Sequence, residues 1–319
     1  VMVVRGGNRR RLLVAELVES GLAAPFNGER WVTEAGLEAC FGELDRHNAM
    51  TVRKAVETAR PQPLGLDDSF GLGDRLGIAG PAHLRSMRDS GFKVVLAQQS
   101  IRELERTERT PDEVMDAATW AVLEEGWSEP WGADADHLKT PADVELMAEA
   151  GFTMFTIDPG DHVVDAADDM SVADLEAAAA ALPWSDLETT LEEALERYAG
   201  AAIDVGPDLV LDPSREDVLR GWVKYGASLA HTGRMYRHIA ATMGDRPFEV
   251  EVSVEETASV TSPFEHWLVA SELRRLGVRW VGLAPRYIGD FEKGIDYRGD
   301  LEVFRNEYIK HLAIADALG

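Results

Sequence analysis

At 319 residues and 45% hydrophobic content the chain can bury a large core, as one big domain or two modest ones. A formal net charge of -25 and a pI near 4.6 would be repelled by nucleic acid and by anionic membrane surfaces, so neither is expected as a partner. The single Cys40 excludes an internal disulfide and a thiolate metal cluster, and with no bilayer-length apolar run and no signal-peptide pattern the reading is a soluble, cytoplasmic protein.

Residues 1–64 are expected to form a helical support segment, with Leu12, Leu13, Leu17 and Val18 on one helical face and Arg9, Arg10 and Arg11 as a solvated helix end. Pro61 and Pro63 make a stiff linker. A barrel domain is expected over 65–319, with a helical insertion over about 165–213. Punctuation carries that expectation. Helices open at Thr110-Pro111-Asp112-Glu113, Thr140-Pro141-Ala142-Asp143 and Ser262-Pro263-Phe264-Glu265, each a hydroxyl followed three residues later by an acid. Helices close at Gly91, Gly126, Gly151 and Gly277, and an apolar segment follows each. The predicted strands are 69–72, 93–97, 131–136, 153–157, 248–254 and 279–284. Strands separated by helices in this way demand a parallel sheet with crossover helices.

An open doubly wound sheet gathers its ligand at one crevice, whereas a closed barrel loads the ends of many strands. Polar groups follow nearly every strand here: Asp74 and Arg75, Gln98 and Gln99, Asp134, Asp136 and His137, Asp158, Glu255 and Glu256, and Arg286. The expected fold is therefore an α/β, TIM-like (β/α) barrel. In 248–255 Val250, Val252 and Val254 face one way and Glu249, Glu251, Ser253 and Glu255 the other, so a cation is expected beside the acids. A long amphipathic helix is expected over 214–243, where His231 and His238 read as structural.

The chemistry is concentrated in 131–159. Asp134 and Asp136 share one face of a strand, His137 falls where that strand gives way, and a capped helix starts at Thr140. His137 with Asp134 and Asp136 is the best metal or acid–base candidate, against the alternative of a loop-stabilising network. His266, in the first turn of a later helix, is a candidate second imidazole, or else a surface histidine near a cap. Ser100 and Cys40 lack a local base and there is no GxSxG, so acyl transfer has little support. Gly71-Leu72-Gly73 is too short for a dinucleotide fingerprint, and there is no Walker loop.

Six segments, in order, carry a resemblance: SFGLGDRLGIAGPAHL at 69–84, AQQSIRELERTERTPDEVMDAATWAVLEEGW at 97–127, GADADHLKT at 132–140, FTIDPGDHV at 155–163, EVSVEETASVTSPFEHWLVASELRRLGV at 251–278 and LAPRYIGDFEKGIDYRGDL at 283–301. Together they resemble the tagaturonate epimerase family of hexuronate catabolism. The resemblance implies interconversion of tagaturonate and fructuronate, a small-molecule sugar-acid substrate and a divalent metal cation held partly by His137. It also implies Asp136 as proton acceptor and Glu256 as proton donor or ligand. Arg75, Arg286 and Lys293 are candidates to hold the substrate carboxylate, since a fork-shaped cation suits that group. The strand-end groups Asp74, Gln98, Gln99 and Asp158 complete the expected substrate site. The resemblance further implies strands beyond Gly319, one with another histidine, so the barrel is expected to be incomplete at its C-terminus and the start at Val1 to be truncated too. The competing readings are a non-catalytic metal- or sugar-acid-binding remnant and a metal-dependent aldolase on a similar scaffold.

The two hexulosonates differ one bond beyond the ketone's α-carbon, where simple enolisation does not reach. Retro-aldol cleavage, rotation and re-addition would reach it, with a metal to stabilise the enolate and an acid–base pair to move the hydroxyl proton.

Overall fold

A computed structural model describes residues 1–6, 9–17, 21–255, 257–291 and 294–318. The chain divides into two compact units, Val1–Thr156 with Thr242–Glu249, and Ile157–Ala241 with Val250–Gly319. The expected boundary near residue 64 falls inside the first of them.

The first unit opens with strands, and this corrects the helical reading of 1–64. Strands β1 (Met2–Gly6), β2 (Arg9–Leu17), β3 (Glu29–Val32) and β4 (Leu37–Gly42) make an antiparallel sheet ordered β1-β2-β4-β3, followed by helix α1 (Arg46–Ala55). The physical reason is a period of two. Leu12, Val14 and Glu16 turn inward on β2 while Leu13 and Ala15 turn away, so the paired Leu12 and Leu13 do not share a face. Val18, the last member of the supposed helical face, lies outside the described residues. Arg10 and Arg11 stand on a strand, paired with Glu124 at 3.2 Å and with Glu43 at 2.8 Å. The buried carboxylate of Glu16 accepts the N–H groups of Leu22 and Ala23 at 2.5 and 2.6 Å.

The alternation expected after residue 64 is present. The first unit continues with β5 (Ser69–Gly71), α2 (Gly80–Met87), β6 (Lys93–Ser100), α3 (Ile101–Thr107), α4 (Pro111–Glu125), β7 (Trp131–Leu138), α5 (Pro141–Ala150) and β8 (Met154–Ile157), the last residue of which opens the second unit. Thr110 and Thr140 close reciprocal capping boxes with Glu113 and Asp143. Gly126 and Gly151 end their helices at φ 55° and 96°, a left-handed region that a side chain would disfavour. Trp120 of α4 packs into the core formed by Leu12, Val14, Phe26 and Cys40, so the amino-terminal sheet covers a helix of the α/β layer. Free Cys40 is buried there.

The second unit holds α6 (Val172–Ala180), α7 (Leu191–Tyr198), the hairpin β9 (Ile203–Gly206) and β10 (Leu209–Leu211), α8 (Arg215–Met243), β11 (Glu249–Ser253), α9 (Pro263–Arg275), β12 (Gly282–Ala284) and α10 (Leu301–Leu318). The stretch expected to be helical over 165–213 is helical up to Tyr198 and then adds the hairpin. Ser262 and Glu265 form the expected capping box.

In the first unit the barrel-type strands are ordered β8-β7-β6-β5, with β5–β6 and β6–β7 registered in parallel, and in the second β11 and β12 are registered in parallel, the parallel α/β sheet that the alternation demands. On β11 Val250, Val252 and, just past it, Val254 are buried as expected. The acid of Glu249 accepts the backbone N–H of Gly65 in the place where a cation was expected. Among the described residues, no helix is long and apolar enough to cross a membrane.

The strand reading of β2 has a direct check. Leu12→Ala should cost about 2–4 kcal/mol in urea unfolding and Leu13→Ala less than about half of that, because only the first empties a core site. Equal costs would reject the alternation.

Candidate active site

In the first unit β5, β6 and β7 run parallel, so their carboxyl ends lie on one edge. On β7, Trp131, Ala133 and Ala135 are buried on one face and Asp134 and Asp136 stand on the other, the alternation that pleating imposes. Asp134 is 2% exposed. Its Oδ2 accepts Nε2–H of Gln98 on β6 at 3.1 Å and its Oδ1 accepts the hydroxyl of Thr156 on β8 at 2.9 Å. Gly71 on β5 makes room for that amide, because a Cβ there would stand 2.6 Å from Gln98 Oε1. Gly71 thus serves a close approach of side chain to backbone.

Two residues further along β7, Asp136 Oδ1 meets His137 Nδ1 at 2.6 Å. A carboxylate accepts only, so Nδ1 carries the proton and the lone pair of the neutral ring is on Nε2. His137 has φ 53°, in the left-handed region where a non-glycine residue costs on the order of 1–3 kcal/mol, a departure that clusters at functional sites. Both side chains are partly exposed, His137 at 17% and Asp136 at 24%. An oriented imidazole beside an accessible carboxylate can transfer protons and offers a cation one nitrogen ligand.

Other expected residues of this unit have other partners. The carboxylate of Asp74 accepts the backbone N–H groups of Ile78, Ala79 and Gly80 at 3.2, 2.7 and 3.0 Å, which caps α2. Arg75 pairs with Glu103. Gln99 lies on the opposite face of β6 from Gln98, registered with Ala135, and among the described residues neither end of its buried amide meets a partner.

In the second unit Asp158 is buried and its Oδ1 accepts the N–H of Gly160 at 2.9 Å. Arg286 reaches Asp290 at 3.6 Å, and its backbone N–H bonds the Thr261 hydroxyl at 3.1 Å. His266 is buried in α9, and its Nδ1 faces Nδ1 of His311 on α10 at 3.0 Å, one nitrogen donating and the other accepting. Burial and then the neighbouring His311 push the His266 imidazolium down to about 4, and burial lowers His311 as well. Glu256 and Lys293 lie outside the described residues. The sequence reading missed Thr156, His311 and Lys224; the signal for Lys224 was a lone cation inside the apolar run of α8.

As to a metal, Asp136 fixes the tautomer of His137 as a carboxylate does for a ligating imidazole. Among the described residues, however, no group of three or more His, Cys, Asp or Glu side chains is gathered that would hold an ion. The described donors fit one ligand and not a complete set.

The family model for tagaturonate epimerase matches residues 1–319. The chain belongs to this family. A curated tagaturonate/fructuronate epimerase of Thermotoga maritima is 43% identical over 287 residues, covering 88% of this chain and 56% of that protein. Crystal structures of the fructuronate-tagaturonate epimerase of Cohnella laeviribosi match 99% of this chain and 62% of theirs: a form with one glycerol at TM-score 0.89 and 35% identity, and the native form at 0.89 and 34%. The chain thus spans less than two thirds of the length of these relatives. The family is one of epimerases, as the resemblance implied, and these matches lend no support to a binding remnant or an aldolase.

The buried histidine pair gives the second unit a pH signature. With the folded pKa of His266 at about 4 against an ordinary 6.5, the unfolded chain binds the proton first as pH falls. The stabilisation is therefore complete above about pH 6.5 and is lost as pH drops towards 4. Tyr287 beside His311, and Glu307 and Lys310 on its own helix, are the other titrating neighbours. His266→Phe should flatten the fall in unfolding midpoint between pH 7 and 4.5. An unchanged slope would reject the account.

Proposed function

We propose that this chain carries acid–base groups of an epimerase that interconverts D-tagaturonate and D-fructuronate. The observation behind this reading is the Asp136–His137 pair at the end of β7, 2.6 Å apart with His137 at a positive φ, in a chain of the tagaturonate epimerase family.

The stereocentre that differs bears a hydroxyl β to the ketone. Asp136 takes the proton of that hydroxyl. Its oxygen becomes a carbonyl as the bond between the α- and β-carbons breaks, and the electron pair of that bond passes into an enolate of the ketone fragment. The aldehyde fragment turns over its face, the enolate carbon re-adds, the Glu256 carboxyl gives a proton to the new alkoxide, and exchange with solvent returns Asp136 to carboxylate and Glu256 to acid. Atoms and electrons balance without an external oxidant. His137 would hold a divalent cation through Nε2, while Asp136 keeps the ring oriented. When bound, such a cation supplies charge stabilisation for the enolate oxygen. Gln98, held by Asp134, and the cations Arg75, Arg286 and Lys293 are the proposed contacts of substrate hydroxyls and carboxylate. Asp74 and Asp158 accept backbone N–H groups just past their strands.

The test uses the full reading frame that encodes this chain. Asp136→Asn should lower kcat for the interconversion by about 100-fold or more, as loss of a general base does, and His137→Ala should lose bound metal and activity together. Retention of both metal and activity in His137→Ala would sink the assignment. A trapped fragment shorter than the substrate supports carbon–carbon cleavage; solvent deuterium appearing only at the reacting carbon counts against it.

A further inference from the structure

Arg286 stands two residues past β12 and is one of the cations proposed above for the substrate carboxylate. Thr261 fixes its backbone. The Thr261 N–H donates to the Arg286 carbonyl at 2.9 Å, and the Thr261 hydroxyl oxygen accepts the Arg286 N–H at 3.1 Å. That hydroxyl also meets the Tyr225 hydroxyl of α8 at 3.0 Å. A fixed backbone settles where the side chain starts, but a long, partly exposed arginine side chain has many rotamers, and its guanidinium needs a further constraint.

The loop that follows supplies one. Asp290 Oδ1 stands 3.6 Å from a terminal nitrogen of Arg286, close enough to attract the guanidinium and too far to take up its N–H groups. Asp290 is itself held by an antiparallel bridge, exchanging backbone hydrogen bonds with Arg298 at 2.9 and 3.2 Å. Tyr297, the neighbour of Arg298, closes the turn. Its hydroxyl donates to the carbonyl of Ile288 at 3.0 Å. Gly289 and Gly299 give that hydroxyl its room, since a Cβ at either would collide with it. The centroid of the Tyr297 ring lies 5.2 Å from that of Phe304 on α10 and 5.1 Å from that of Phe291. Tyr287, next to Arg286, packs edge-on against Phe304 and Tyr308 of the same helix, with centroids 6.3 and 5.3 Å away. Tyr297 thus joins both ends of the turn to α10.

Stability is a poor reason for the ion pair in this turn. Asp290 is 64% exposed, and pairs of that kind contribute little. Orientation is a better reason. A guanidinium binds a carboxylate most tightly through two parallel N–H bonds, which demands one direction of approach. A side chain already held in that direction loses less freedom when the ligand arrives. Because Asp290 engages the guanidinium from beyond hydrogen-bond distance, it aims the fork without closing it.

We propose that Tyr297 is a positioning residue for substrate binding: it closes the turn that sets Asp290 beside Arg286, and thereby aims the Arg286 guanidinium at the substrate carboxylate. This rests on the reading of Arg286 as a contact of that carboxylate. Tyr297 acts through the turn, on KM rather than on the acid–base step.

The experiment is a double-mutant cycle on the full reading frame, reading kcat and KM for the interconversion. Tyr297→Leu should raise KM by about 3- to 10-fold, the scale of ordering one long side chain on binding, and leave kcat within about twofold. Arg286→Gln should raise KM further, and adding Tyr297→Leu to it should change KM by less than about 1.5-fold, since no guanidinium remains to be aimed. If Tyr297→Leu does not fold, Tyr297→Phe, which keeps the ring and loses only the bond to Ile288, must raise KM by about twofold or more and lose that effect in the Arg286→Gln background. An equal rise of KM in both backgrounds, or a fall in kcat at constant KM, would overturn the proposal. If Arg286→Gln alone leaves KM unchanged, the carboxylate reading falls and the positioning role with it. A raised KM in Arg286→Gln with none in the folded Tyr297 variant overturns the positioning role alone.

Discussion

A carboxylate removed from water must find donors, and Asp134 finds them on the strands to either side. Leaving such a group unsatisfied would cost more than an ordinary hydrogen bond gains. The amide of Gln98 and the hydroxyl of Thr156 therefore tie β6 and β8 to β7 at one height. A slip of one residue would turn Asp134 to the helix side and break both bonds. The same register sets Asp136, two residues on, onto the same face, with His137, the next-to-last residue of β7, at a positive φ. Asp134 is thus the constraint and Asp136 the group that benefits from it. The absent Cβ of Gly71 belongs to this arrangement, because it admits the amide that satisfies Asp134.

The α/β part of the fold was legible because local signals there agree with tertiary ones. Hydroxyl–acid boxes at Thr110, Thr140 and Ser262 and positive-φ glycines at Gly126 and Gly151 mark helix ends by mechanism, and the apolar runs between them had only to be strands. Residues 9–17 misled for a physical reason. The run RRRLLVAEL has adjacent leucines and a good helix-forming composition, and its period of two becomes visible only when Glu16 is counted as an inward residue. A buried acid satisfied by two backbone N–H groups is not readable from a hydrophobic pattern.

In the first unit a sequence contiguity was legible; in the second a spatial pairing was not. Asp136 and His137 are neighbours in the chain, so their contact could be anticipated. His266 and His311 are brought together by packing of α9 against α10, and no spacing signals it. Asp74 shows what a strand-end position does not reveal: its carboxylate accepts N–H groups at the start of the next helix. A cap and a ligand use the same residue types, and only geometry separates them.

The hairpin β9–β10 has a consequence for how the second unit assembles. Val205 and Leu211 share a small core with Ile314 near the end of α10, so the two sides of that core are roughly a hundred residues apart along the chain. Such a contact closes a long loop before any burial is gained, which slows its formation. During synthesis the hairpin emerges well before α10, so the core it shares with Ile314 is completed only once that helix has left the ribosome. This core of the second unit therefore consolidates late, whereas the core under the amino-terminal sheet draws on residues up to Leu123 of α4 and closes as soon as that helix is made.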